Sequence, residues 1–491
     1  MSGFTRNIKS FPSTFWTANT MELFERWAYY GMFTVLSVYL TDPKSSGGLG
    51  FTQEQRGLMQ AVATGILYLF PILGGAIADR FGYRKVLLAA FVTLASGYFA
   101  MGNFSSYGLV FISFLIVAVG GAIFKPIIVA TVSRTAKKGS DTLGFGIFYM
   151  IVNIGGFIGP FVASKLRDLN WLYVFYMCTA VIIINLILLI FYREPAAETA
   201  RIKEPLGKSI RRVFSNTVLV LSDKKFVIFL IIIAGFWTMY MQIFFTLPVY
   251  ITQWIDTGVI YESSGFLARI IGTSEAGRGV IRPEMILNIP AFTIICFQVL
   301  VSSALTRVKP VLSMVAGILV VAFGMIQFVY TLNGWYVVAG VVVIAFGEMA
   351  SSPRIQEYIG RIAPREKVAL YMGYSFLPVA GGNILGGLLS GKLYALFSDK
   401  YAVIRDYLTT RSQINPEVIL NAGQAELLML AEEETGLRAG SLDQYFYEMY
   451  NPGVIWIVFA SIGIVTAISL FFYNRKYLSK IEKPQEKSED H

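Results

Sequence analysis

Long apolar blocks alternate with short polar stretches along this chain. A block of about 20 apolar residues is long enough, as a helix, to cross the hydrocarbon core of a bilayer. Read at that length, the pattern predicts twelve spans. Six lie near 15–40, 55–78, 86–103, 107–132, 143–165 and 171–192, and six near 226–253, 284–306, 311–331, 335–360, 367–396 and 453–474. Several are long enough to suit tilted helices.

The polar stretches divide the chain further. Residues 193–225 are basic, with Arg193, Arg201, Lys203, Lys208, Arg211, Arg212, Lys224 and Lys225. They read as a cytoplasmic linker, either plainly solvated or carrying an amphipathic stretch on the membrane surface. The expected organisation is an N-terminal six-helix bundle (1–192), that linker, a C-terminal six-helix bundle (226–474) and a cytoplasmic tail (475–491). The second bundle carries an insertion, 398–452, with Glu432, Glu433 and Glu434 in a row. Helical spacing over 417–435 predicts a small helical cap there.

Composition agrees with a membrane setting. Hydrophobic residues make up 55% of the chain and charged residues 15%, against about 25% in a soluble protein. The net charge of +10 would suit nucleic acid, but most of the 41 Lys and Arg fall in the loops of one side, from Arg6 and Lys9 to Lys480 and Lys487. That asymmetry puts both termini in the cytoplasm. Many of the outer basic residues sit in 254–283 and 392–438, and long loops weigh little in this rule. No cleavable signal segment is expected. Cys178 and Cys296 both lie in apolar segments, so no disulfide framework is implied. The one histidine is His491, which removes histidine metal sites, triads and proton relays.

Charges inside the membrane cost at least about 2.5–3.5 kcal/mol each. Glu22, Glu25, Arg26, Lys125 and Glu348 stand well inside spans, while Arg354 lies nearer a helix end and reads as snorkelling. Positions 22, 25, 26, 29 and 33 share one helical face, reading Glu, Glu, Arg, Tyr, Phe. That face must look into protein or water, with the alternative for Glu22, only a turn or two into its helix, that it snorkels to the inner interface. Three acids against two bases leave one carboxylate in surplus, and such a group in low-dielectric surroundings can carry a proton. Cations on one wall and a carboxylate on the other suit both ends of a zwitterion. Pro71, Pro126, Pro160, Pro248, Pro290, Pro353 and Pro378 fall within spans and read as kinks or hinges.

Several motifs carry a resemblance. GGAIADRFGYRK, with Asp79 and Arg80, resembles the loop signature of the major facilitator superfamily. MELFERWAYYG (Met21 to Gly31) resembles the first-helix motif of the proton-dependent oligopeptide transporter family. GGAIFKP with Lys125, FYMIVNIGG with Asn153 and FGEMASSP with Glu348 are similar to its fourth-, fifth- and tenth-helix motifs. Tyr68 and Asn288 also fall at matching places. The resemblance covers both halves but not 398–452. It implies an all-α membrane protein of the major facilitator fold that imports di- and tripeptides with protons. It further implies proton coupling by Glu22, Glu25, Arg26 and Lys125. Substrate binding would fall to Arg26, Tyr29, Tyr30, Tyr68, Lys125, Asn153, Asn288 and Glu348.

The chain also departs from the family. Phe33 stands where an arginine is usual and Met241 where a carboxylate is usual. Losing both partners of a buried pair together can be nearly neutral, so an apolar Phe33–Met241 contact between the halves is expected. With the usual eleventh-helix tryptophan also missing, a transporter of the same fold for another small solute (an amino-acid derivative, an organic anion or a drug-like compound), or a non-transporting membrane receptor, stays open. The expected partners are a small peptide, protons and the bilayer, with no nucleic acid, no cofactor and no metal. A monomer in the cell membrane is the expected state, and no enzyme activity is expected.

Overall fold

The computed structural model describes residues 11–135, 141–195, 206–275, 277–364 and 367–477. Arg6, Lys9, Arg201, Lys203, Lys480 and Lys487 lie outside the described residues. The N-terminal half contains α1 (Ser13–Thr41), α2 (Gln53–Leu69), α3 (Pro71–Phe81), α4 (Tyr83–Asn103), α5 (Tyr107–Thr135), α6 (Asp141–Leu169) and α7 (Trp171–Phe191). Helix α8 (Leu206–Leu221) follows, then α9 (Lys224–Tyr240), α10 (Gln242–Phe245) and α11 (Leu247–Trp254). Short helices α12 (Gly258–Ser263) and α13 (Phe266–Ile271) lead into an antiparallel hairpin, β1 (Gly272–Glu275) with β2 (Arg278–Ile281). The C-terminal half continues with α14 (Pro283–Ile286), α15 (Ile289–Ala304), α16 (Pro310–Ile326), α17 (Gly334–Ile362), α18 (Val368–Gly373) and α19 (Leu377–Phe397). Four outer helices, α20 (Lys400–Arg411), α21 (Pro416–Asn421), α22 (Gln424–Thr435) and α23 (Ala439–Tyr450), precede α24 (Val454–Tyr477).

Among the described residues, eight helical stretches are long and apolar enough to cross a membrane, and the α2–α3 pair makes a ninth. Helices α1, α16 and α19 occupy the three other predicted places. Proline explains where single predicted spans divide. Pro71, Pro248, Pro290 and Pro378 each sit in the first turn of a new segment rather than within a continuous helix. There the missing N–H costs nothing, because a first-turn amide has no intrahelical partner. The α2–α3 break bends the chain by 45°. Pro126, Pro160 and Pro353 lie inside unbroken helices.

Close helix approach relies on glycine at two places that frame the site. A Cβ on Gly155 of α6 would stand 2.5 Å from the Leu23 carbonyl oxygen of α1 and 2.9 Å from Arg26 Cβ. A Cβ on Gly57 of α2 would stand 2.5 Å from the Gly387 carbonyl oxygen of α19. Small residues of this kind let membrane helices pack backbone to backbone.

The outer insertion is more elaborate than its sequence pattern. The predicted helix over 417–435 divides at Ala422 and Gly423 into α21 and α22, with α20 and α23 beside them. Tyr447 ties the cap to the C-terminal half, donating to the Val329 carbonyl at 2.8 Å, and Gln424 reaches the Thr41 carbonyl of α1 at 3.3 Å. In the linker, α8 carries exposed Phe214, Val218 and Leu219 beside basic residues and buries Val220, which suits a helix lying on a membrane surface.

Candidate functional site

The first helix places its charged face against α5 and α6. Arg26 lies in a fork about Glu25, with Nε at 2.6 Å and Nη2 at 2.5 Å from Oε2. Glu22, one turn earlier, is 3.5 Å from Arg26 Nε, and its second oxygen is buried without a hydrogen-bond partner. All three residues are at most 4% exposed. Charges this deeply placed stand only when paired or able to change protonation state. Arg26 also lies 4.9 Å from the Tyr29 ring centroid and 5.8 Å from that of Tyr30, within the range of cation–π attraction.

Lys125 of α5 completes this wall. Its Nζ stands 5.8 Å from the Tyr68 ring, and it lies within electrostatic reach of Arg26, Glu22 and Glu25. It has no ion pair among the described residues. Glu348 of α17 lies in the other half, within electrostatic reach of Tyr30 and of Tyr149 on α6. Tyr240, at the end of α9, donates a hydrogen bond to it. Seven predicted residues therefore form one wall (Glu22, Glu25, Arg26, Tyr29, Tyr30, Tyr68, Lys125), with Glu348 across from it.

The two predicted asparagines are engaged elsewhere. Asn153 donates to the Tyr149 carbonyl of its own helix at 2.8 Å. Asn288 donates to the Phe157 carbonyl of α6 at 2.8 Å, which links the halves, and its side-chain oxygen is buried without a partner. Asp79 lies at the far end of α3, 3.8 Å from Arg134 and exposed, and Arg80 lies 5.4 Å from the Phe81 ring. Phe33 stacks on Tyr29 at 5.1 Å and meets Phe244 and Phe245 at 5.6 and 6.0 Å. The apolar interface between the halves at Phe33 thus includes the rings three and four places beyond Met241. Met241 itself is buried, at the break between α9 and α10.

The outer end of the bundle, on the assignment made from loop charge, is held shut by polar links that the sequence did not single out. Arg56 of α2 donates to the carbonyls of Phe245 and, at 3.3 Å, Ser390. Ser37 donates to the Phe244 carbonyl at 3.0 Å. Arg167, at the end of α6, lies 3.0 Å from Glu284 of α14 and 3.5 Å from Asp42. Arg282 lies 3.1 Å from Asp168, and Lys165 donates to the Gly272 carbonyl at 2.7 Å. Burial lifts the Asp42 carboxyl to about 6 against the lowering influence of Arg167. Arg56 and Glu284 each stand at the first turn of a predicted span, where a charge is read as interfacial. Nothing in their spacing distinguishes a gate from a helix end.

The sequence model of the Major Facilitator Superfamily matches residues 16–274, more than half of the chain. The peptide transporter YePEPT of Yersinia enterocolitica is 29% identical over 156 residues, covering 30% of this chain and 30% of that protein. The match therefore spans less than a third of that relative. The multidrug resistance protein MdtH of Salmonella typhimurium is 23% identical over 368 residues, 74% of this chain and 83% of that one. Among solved structures, a POT family transporter in complex with a thioalcohol conjugated peptide superposes with a TM-score of 0.67. It is 19% identical, with 97% of this chain and 100% of that chain covered. At that identity the likeness establishes the fold.

Proposed function

Because the chain belongs to the Major Facilitator Superfamily, we propose that it is a proton-coupled symporter that imports di- and tripeptides by alternating access across the cell membrane. One observation carries the reading. Arg26 and Lys125, with two carboxylates, stand on one half, and Glu348, without a cationic partner among the described residues, stands on the other. A dipeptide offers a carboxylate to the first wall and an ammonium to the second.

In this reading Lys125 and Arg26 receive the peptide carboxylate, and Glu348 with the open oxygen of Asn288 receives the amino end. Tyr29, Tyr30 and Tyr68 line the cavity between them, with Asn153 nearby on α6. Glu22 is the proton carrier, since its second oxygen is unpartnered. Glu25 and Arg26 are the pair it perturbs, and Lys125 is the cation that Glu22 or the peptide carboxylate can engage in turn. Proton entry and peptide binding are thereby exchanges among the same few charges. Phe33 and Met241 belong to the gate between the halves, and Asp79 with Arg80 to the inner loop contacts. The chain needs no cofactor or metal for this and acts as a monomer. The likeness to YePEPT and to POT structures supports the reading.

A second reading is transport of another small solute, such as an organic anion or a drug-like compound. It is favoured by the longer match to MdtH and by apolar Phe33 in the gate. Counterflow of labelled dialanine into liposomes, with and without a pH gradient, separates the two. The peptide reading expects exchange in both conditions and faster uptake with protons flowing inward. Absence of exchange with any small peptide supports the second.

A further inference from the structure

Glu348 is set apart from the other membrane-interior carboxylates among the described residues. Glu22, Glu25 and Arg26 form one network, and Arg354 pairs with Glu357 at 2.5 Å. The group that meets Glu348 is neutral: the Tyr240 hydroxyl donates to Oε2. Tyr240 is 6% exposed, and its ring is fixed by three others. Phe236 lies at 5.9 Å, Trp237 at 5.7 Å and Phe244 at 6.3 Å between centroids. It is also the last residue of α9, immediately before the break at Met241, so the break sets where its hydroxyl points.

The kind of donor matters. An arginine or lysine at 240 would neutralise Glu348 and compete with any cation arriving from the cavity. A phenylalanine would leave the carboxylate free to turn. A phenol hydroxyl fills one lone-pair site of Oε2, fixes the plane of the carboxylate and leaves its full negative charge for a newcomer. An unpaired carboxylate in such surroundings is costly, and a bound ammonium removes that cost.

We infer that Tyr240 is a positioning residue for the solute's amino group, holding the Glu348 carboxylate so that its second oxygen receives a primary ammonium. The inference rests on the peptide reading of Glu348. It adds a residue from another helix and a chemical requirement: solutes without the ammonium gain nothing from Tyr240.

The test is a double-mutant cycle on the full chain in detergent, reading affinity for dialanine and for N-acetyl-dialanine. Tyr240→Phe keeps the ring and its packing. Loss of a hydrogen bond to a charged group lowers dialanine affinity about tenfold or more in Tyr240→Phe. In a Glu348→Gln background the same change costs less than about twofold, because the group being positioned has lost its charge. N-acetyl-dialanine, which offers no ammonium, meets wild type and Tyr240→Phe equally. Equal losses for both peptides, equal losses in both backgrounds, or no loss of dialanine affinity overturn the positioning role while leaving the peptide reading intact. Wild-type protein that folds but binds no dialanine overturns the peptide reading, and this inference with it.

Discussion

Glu22 and Glu25 lie one helical turn apart and both approach Arg26, yet only Glu25 holds it closely. The looser contact and the unpartnered second oxygen single out Glu22. Glu22→Gln removes the exchangeable proton and keeps the shape. The expected outcome is loss of accumulation driven by a pH gradient, with dialanine counterflow retained within a few-fold. Gradient-driven accumulation at the wild-type level would remove Glu22 from the coupling scheme. These charges were legible in the sequence because a buried charge is rare in a membrane helix and its cost does not depend on knowing the fold. Tyr240 was not legible. A tyrosine in an apolar span is an ordinary packing residue until the fold brings α9 beside α17. The apolar character of the Phe33 contact was legible, but its ring partners Phe244 and Phe245 were not, since α9 ends at Tyr240 and a new segment begins at Gln242.

At the level of elements, the joint between α6 and α14 is the outer counterpart of the buried cluster. Arg167 and Glu284 are both nearly inaccessible to solvent. Removing one partner of such a pair leaves a buried charge alone, at about 3–5 kcal/mol, whereas replacing both with apolar residues is often neutral. Glu284→Leu alone should therefore lower thermal stability or open the outer end, and Arg167→Leu with Glu284→Leu should recover most of the loss. Equal damage in single and double variants would mean that the pair is not a unit. Proline placement belongs to the same scale. A proline inside an apolar block reads as a kink, but only the structure shows that four of these seven begin a new segment. The hairpin β1–β2 and the flanking cap helices α20 and α23 were unreadable for a related reason. Both lie in polar stretches, where the apolar pattern that marks spans carries no signal.

For the whole molecule, the polar links between the halves named above gather at one end, the outer one on the loop-charge assignment, so that this end is closed. Asp42 makes that closure sensitive to pH. In the closed state its carboxyl, faced by Arg167, Arg282, Glu275 and Glu284, is raised from 3.8 to about 6. Separation of the halves returns it to water and toward its ordinary value. The closed state then holds more protons between those two values, so acidification through about pH 6 favours closure. Spin labels at Leu169 and Phe266, both exposed at that end, should report a larger closed population at pH 5 than at pH 7. In Asp42→Asn the difference should shrink. The Gly57 contact makes a matching steric prediction. Gly57→Leu cannot fit against Gly387, so it should hold the outer end open and stop counterflow while the protein remains folded.

Solute and proton must move together if the charged wall and Glu348 work as proposed, and electrical recording tests this most directly. A dipeptide is a zwitterion without net charge, so each coupled proton carries one positive charge across the membrane. Current should therefore follow addition of dialanine to proteoliposomes at symmetric pH, in the direction of peptide entry. It should grow with an inside-negative potential, where 100 mV supplies about 2.3 kcal/mol per charge, and vanish in Glu22→Gln. Net dialanine uptake that proceeds with no current, at any potential, would contradict the account.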